Sequence, residues 1–568
     1  MIENRPTPLD KRWVWTAAIG LALFLLIQVF PITGQLFTTN ASAVLTRAEA
    51  ERKAIEWANE KFGIEAADVS KTTVTHMTDS KANGYLSKHG LTASYDKLWA
   101  AAAPTDVYVV ELTISGSPGA LAVSVHMESG SLVAWRHLGA DFDAGSASRE
   151  EETRPAAEQA AAALRYAEWY GIRANDWEWT GESFGDRGFE YVSRLSAIEE
   201  AELRLRVDLP PSFRPADSAI PEWQGGAVAY RVDLPASFVR YMEDQERLAG
   251  HLSVFGFILP QLLLFILAIV YTGTHGGYTS YRRGIFLATV FFALYAALTF
   301  NMIPGLRAGT WESGVSVGDR VNLTVSLVTY AAMALLTYFS AVGGDGLWKS
   351  MGRPLWPRWR ESGYGEAVLK SMKEGYFLAF ILLGAQSVIL LLLEKTLGAF
   401  ASSDATQSMY NMSLPLLLPL LAWCAGISEE LQSRLFGIGV FRSWFVGLAR
   451  KWTGREPSRR SAVVLTTLAI VPPGLFWALG HVGYAVYPVY TRIIELVLLS
   501  FLFGWFMLRF GLMAVIFAHV TLDAILMGMQ MMFDGLPGNF AGGVFSLLSP
   551  ALVGWVIWRL HRAARARA

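Results

Sequence analysis

A single cysteine in 568 residues excludes an intramolecular disulfide, so any part of the chain outside a reducing compartment must be held by its own apolar core. That residue, Cys424, lies in an apolar run with no base near it in sequence, and reads as a packed small side chain rather than a nucleophile. An excess of one charge is also missing. The formal net charge is -1, and Lys and Arg gather only beside apolar runs, which argues against nucleic acid as a partner. One common catalytic signature is absent as well: there is no His-Glu-x-x-His.

Apolar residues are abundant instead, at 52% with 20 Trp, and they cluster into charge-free runs long enough to cross a bilayer core of ~30 Å. The first, Trp13 to Ile32, follows Lys11 and Arg12. A cleaved signal peptide ending near Ala41-Ser42-Ala43 competes with a retained span, and the length of the run favours the span. Nine more runs follow: Leu252 to Tyr271, Ile285 to Ile303, Val321 to Val342, Tyr376 to Leu393, one from Leu414, one from Val463, Ile493 to Leu508, Leu512 to Phe533 and Val544 to Trp558. Basic residues alternate from loop to loop, with Arg282 and Arg283, the set from Lys349 to Lys373, that from Arg442 to Arg460, and the C-terminal arginines on one side. The positive-inside rule then puts both termini in the cytoplasm. The expected fold is an all-α polytopic membrane bundle of about ten transmembrane helices with an inserted extracytoplasmic α+β domain.

That domain is expected at residues 35–250, after a cytoplasmic N-terminus and first transmembrane helix in 1–34. Charges are frequent there, and alternation such as Val107-Tyr108-Val109-Val110-Glu111-Leu112 marks strands. Two helical patterns, Arg47 to Phe62 and Pro155 to Tyr170, end in Gly63-Ile64 and Gly171-Ile172, each with an Asp at the same offset, Asp68 and Asp176. This suggests two related helix-plus-sheet units, an order that resembles PepSY-type modules. Residues 251–400 are assigned to transmembrane helices 2–5.

The remaining segment, 401–568, breaks its apolar pattern at three polar stations. Glu429-Glu430 interrupts a charge-free run, and a carboxylate at the centre of a membrane helix costs roughly 2.5–3.5 kcal/mol on insertion scales. Arg434 stands four after Glu430 and can pair with it. Trp477 and His481 are four apart, as are His519 and Asp523, so each pair shares a helix face. Three stations on three helices can converge on one water. Two imidazoles and a carboxylate suffice for a zinc site with an open position formed by Glu429, His481 and His519. They equally suffice for metal-free general-base attack.

A glutamate pair with Arg four later, an aromatic four before a His, and a His four before Asn or Asp: in this order the stations resemble the CAAX-protease and bacteriocin-processing (CPBP, Abi-type) family. Trp477 stands where that pattern usually has Phe, with Phe476 adjacent. The resemblance implies an intramembrane metalloendopeptidase acting on a membrane-associated peptide or protein. Glu429 and His481 would activate a water, His519 and Asp523 would stabilise the oxyanion, and Glu430 and Arg434 would support the site. Zinc is the cofactor so implied, beside a metal-free mechanism. A non-catalytic membrane sensor or bacteriocin-immunity scaffold, with the external domain binding a ligand, is the competing expectation. The Gly-x-Gly-Asp of aspartyl intramembrane proteases is not matched by Gly343-Gly344-Asp345, which reads as a cytoplasmic loop, and Arg492 and Glu495 read as interfacial groups at a span's end.

Depth poses a difficulty. His481 would lie about 27 Å along a helix begun at Val463, and His519 about 10 Å along one begun at Leu512. Pro472-Pro473-Gly474 is the expected break that reconciles them.

Overall fold

A computed structural model describes residues 10–31, 43–117, 119–138, 155–184, 187–194, 197–210, 213, 225–313 and 318–566. Of the suggested cleavage site, Ala41 and Ser42 lie outside the described residues. Among them, nine helices are long and apolar enough to cross a membrane: Lys11–Val29, Ala236–Thr274, Tyr281–Asn301, Asp319–Ser350, Tyr364–Leu397, Arg459–Leu479, Val489–Phe510, Leu512–Met532 and Asn539–Ala566. The run from Leu414 is not in this set. Pro419–Glu429, Glu430–Gly437 and Ile438–Thr453 do form one continuous helical rod, but Glu429, Glu430 and Arg434 interrupt its apolar character.

The helix Ala236–Thr274 carries the chain from the sheet domain into the bundle without a break. Two expectations are corrected. Gly343-Gly344-Asp345 is buried inside the helix Asp319–Ser350, where Asp345 binds Arg283 at 2.7 Å, Lys349 at 2.6 Å and the Trp356 indole N–H at 2.9 Å. Glu495 does not reach an interface. Its carboxylate is fully buried, paired with Arg492 at 2.7 Å and accepting from the Gln386 amide at 2.8 Å, as a charge inside a bundle requires.

The N-terminal half holds one antiparallel eight-stranded sheet in the order β1-β2-β3-β4-β8-β7-β6-β5. Its strands are β1 (Val69–Thr78), β2 (Asp106–Ile114), β3 (Ala120–His126), β4 (Leu132–Leu138), β5 (Trp177–Phe184), β6 (Gly188–Ser193), β7 (Glu202–Asp208) and β8 (Ala227–Asp233). Helix, single 3₁₀ turn and strand occur in that order twice, as Arg47–Phe62, Ala66–Asp68 and β1, then Ala156–Trp169, Ala174–Asp176 and β5. Gly63 stops the first helix at φ +66°, a left-handed position that glycine adopts without a Cβ clash. Both helices put alanines against the sheet: Ala50, Ala54 and Ala58 from one, Ala160, Ala163 and Ala167 from the other. The core they cover contains Trp99, Trp135, Tyr166 and Tyr191, all buried. It needs no disulfide, in keeping with Cys424 being free and distant in sequence.

The sheet is fastened to one end of the bundle by the segment after the helix Tyr364–Leu397. There β9 (Phe400–Ala401) pairs with β10 (Val486–Tyr487), and Phe400 and Tyr487 pack into the sheet domain's core. Ser403 bonds Thr78 and Asn83 at 2.7 Å each. Trp311 donates to Glu111 of β2 at 2.8 Å while Arg136 of β4 lies over its ring at 4.1 Å.

Candidate active site

Four segments bring the polar stations together. Glu429 ends an α-helical stretch, and Glu430–Gly437 continues as π-helix, a local widening that often accompanies function. His481 follows the short helix Val471–Leu479. The chain departs from regular helix at Ala469 and Ile470 and restarts with its prolines in the first turn, where their missing N–H groups cost nothing. The irregularity thus lies just before Pro472-Pro473-Gly474 rather than at it. His519 and Asp523 ride on Leu512–Met532, and Phe503 comes from Val489–Phe510.

Small residues permit the close approach. A Cβ on Gly426, one turn before Glu430, would meet Val520 Cγ2 at 2.5 Å, and one on Gly375 would meet Phe517 Cβ at 2.5 Å. The helix carrying His519 is therefore pressed between glycine-lined faces of two neighbours.

At the centre is the Glu429 carboxylate. Oε1 lies 3.8 Å from His481 Nε2, and Oε2 lies 3.8 Å from His519 Nε2. The indole N–H of Trp477 donates to Oε2, and Trp477 also orients the first imidazole, since His481 Nδ1 is 2.7 Å from its backbone carbonyl. A ring whose Nδ1–H donates there presents a free Nε2 to Glu429. His519 is fixed from its other side: Nδ1 is 2.7 Å from Glu430 Oε1, and Nε2 is 3.6 Å from Asp523 Oδ2. Arg434 lies 3.3 Å from Glu430 and is sandwiched between the rings of Trp477, at 4.2 Å, and Phe503, at 4.7 Å. The ion pair is fully enclosed, with Glu430 0% and Arg434 1% exposed. All six residues singled out in the sequence, with Trp477, stand in one connected cluster.

Several neighbours carry no signal in sequence. Gln432 accepts from Gln261 at 2.5 Å and donates to Thr337 at 3.1 Å, tying the π-helix to two other spans. Tyr484 stacks on His481 with ring centres 5.5 Å apart and planes 15° from parallel, and Arg492 lies 5.3 Å over Tyr484. Only the proximity of Tyr484 to His481 in the chain could have pointed to it.

The donor set can be tested for a metal. Among the described residues no three His, Cys, Asp or Glu side chains form a group that could hold a metal ion. Tetrahedral zinc ligands at 2.0–2.1 Å stand about 3.3 Å from one another. The carboxylate-to-imidazole separations of 3.8 Å are wider, and one Glu429 oxygen is already engaged by Trp477. The donor set as it stands is too wide for tetrahedral zinc.

No curated protein matches the chain, and no solved structure does. Residues 411–525, the segment that contains every motif side chain described above, match the family model of the type II CAAX prenyl endopeptidases, Rce1-like.

Proposed function

We propose that this integral membrane protein is an endopeptidase that cleaves a membrane-associated peptide or protein inside its helical bundle. The carrying observation is the Glu429 carboxylate set between two imidazole Nε2 atoms, each 3.8 Å away. A water in that space is polarised by Glu429 and His481 and attacks the scissile carbonyl as its proton passes to Glu429. His519 donates from Nε2 to the oxyanion that forms, oriented by Glu430 on Nδ1 and accompanied by Asp523. Glu429 then returns the proton to the leaving amine. Arg434 and Glu430 act on the reaction through His519 and Trp477. Enclosure by the bundle excludes bulk water and strengthens each of these interactions.

The match of residues 411–525 to an endopeptidase family supports this reading over a sensor or immunity scaffold, whose expected phenotype would not need Glu429. The alternation of basic loops supports a cytoplasmic location for both termini, with the sheet domain outside. The experiment is turnover of a reporter membrane peptide by the purified full chain in nanodiscs. Glu429→Gln should lower kcat by at least a thousandfold with the protein still folded. Unchanged turnover by that variant removes the reading. In the same assay a strong zinc chelator should leave the rate within about twofold, because the chemistry here comes from the chain's own groups; complete loss restored by added Zn²⁺ would assign the site to metal instead.

A further inference from the structure

The two edges of the eight-stranded sheet are finished differently. On β5 the register shifts between Trp179 and Ser183, and Gly181 takes φ +86°; irregularities of this kind blunt an edge against further pairing. β1 has its own shift at its start, between Val69 and Lys71, and then holds an unbroken register with β2 from Lys71 to Thr78. The direction of its free backbone groups follows from His76, whose N–H donates to Asn411 Oδ1 at 2.7 Å and whose carbonyl accepts from Asn411 Nδ2 at 3.0 Å. Both groups thus point away from β2. Alternation along an antiparallel strand sends the N–H and C=O of Thr72 and Val74 the same way. At His76 one side-chain amide does what a neighbouring strand would do, whereas at Thr72 and Val74 no described residue makes that contact.

These open positions line a cleft of about 550 Å³ between the sheet and the bundle. One wall is the start of the helix Arg47–Phe62, another is Arg307, and the far wall is Met412 to Pro415. Its charges are unevenly matched. Arg307 is neutralised by Asp319 at 2.6 Å, and Glu51 accepts from the Thr72 hydroxyl. Lys71 has no carboxylate at ion-pair distance among the described residues, and Arg47, although Glu51 one turn later acts on it, has an Nε without any hydrogen-bond partner there.

We infer that this edge is a docking site for an extended acidic peptide, which pairs with Thr72 and Val74 as a ninth strand while its carboxylates reach Arg47 and Lys71. An unpaired strand edge supplies affinity through main-chain hydrogen bonds, and the flanking cations select the sequence. Pro415, at the end of the cleft, is followed within one turn by Pro419, where the helix bearing Glu429 begins. The docked segment thereby lies at the start of the helix that bears Glu429, about 15 Å along it from that carboxylate. That it belongs to the substrate rests on the peptidase reading; the docking itself does not.

The test uses full-length Glu429→Gln protein in zwitterionic nanodiscs and a fluorescent, end-blocked octapeptide of alternating Val and Glu. Saturable binding is expected, weakened at least tenfold when three consecutive amides are N-methylated or when Lys replaces Glu. Combining Arg47→Glu with Lys71→Glu should reverse the preference toward the Lys peptide, which also shows that the variant is folded. Equal binding of the N-methylated peptide overturns the proposal, as does an absence of peptide binding beside selective retention of anionic lipid, which would make the cleft a headgroup site. Cleavage is read separately, with the reporter membrane peptide on the chain with Glu429 intact: octapeptide binding without turnover of that reporter leaves the docking site standing and removes only the peptidase reading.

Discussion

Glu429 is held by a donor that phenylalanine could not supply. The Trp477 indole fixes one carboxylate oxygen, its carbonyl orients His481, and its ring covers Arg434. In Trp477→Phe the backbone contact and most of the packing survive and the N–H is lost. A freed carboxylate samples orientations unproductive for water activation, so kcat should fall about 10- to 100-fold with KM nearly unchanged, as for other groups that orient a reactive side chain. Thermal stability should move little, and a fall in KM affinity instead of kcat would show that Trp477 contacts substrate rather than Glu429. The spacing of four residues made the pairs Glu430–Arg434 and His519–Asp523 legible, because it reports which side chains share a face, whereas His481 lies just past the end of the Trp477 helix. Spacing could not report that Glu430 reaches across 89 residues to His519, since nothing local in either segment encodes the other's rotation.

At the scale of elements, glycine decides how close the helices bearing Glu429 and His519 stand. Gly426 and Gly375 take up positions where a Cβ would lie 2.5 Å from Val520 and Phe517 respectively. Gly426→Ala must push the Glu429 helix and the His519 helix apart by a few tenths of an ångström or displace the Val520 side chain. Overpacking of this kind costs about 1–3 kcal/mol. The expected outcome is a lower melting temperature with a loss of kcat steeper than the stability change alone explains, and Val520→Ala in the same chain should restore part of both. Independent behaviour of the two substitutions would mean the contact does not set the spacing. Long apolar runs were legible because a span needs ~20 such residues. The buried Asp345 and Glu495 were not, as a single charge in sequence reads the same whether it meets water or partners such as Arg283 and Arg492. Nor could alternation alone show that β4 and β8 join eight strands into one sheet, because strand pairing is set by contacts distant in sequence.

In the whole molecule the sheet domain and the helical bundle meet at the strand that follows His481. From His481 the chain passes Tyr484 and enters β10, which pairs with β9, and Phe400 of β9 is buried in the sheet domain beside Tyr241 and Tyr487. The position of His481 is thus referred to a core outside the bundle. Phe400→Ala removes the side chain that anchors this link, and truncation of a buried Phe costs roughly 3 kcal/mol or more. The sheet keeps its other core residues, Trp99, Trp135 and Tyr191 among them, so the loss should be local. Hydrogen exchange should quicken at residues 480–488 while β2 and β3 remain protected, and kcat should drop with the histidine less firmly placed. Unchanged exchange at 480–488 would mean the bundle alone holds His481, and uniform loss of protection across β2 and β3 would mean that Phe400 supports the sheet rather than the link.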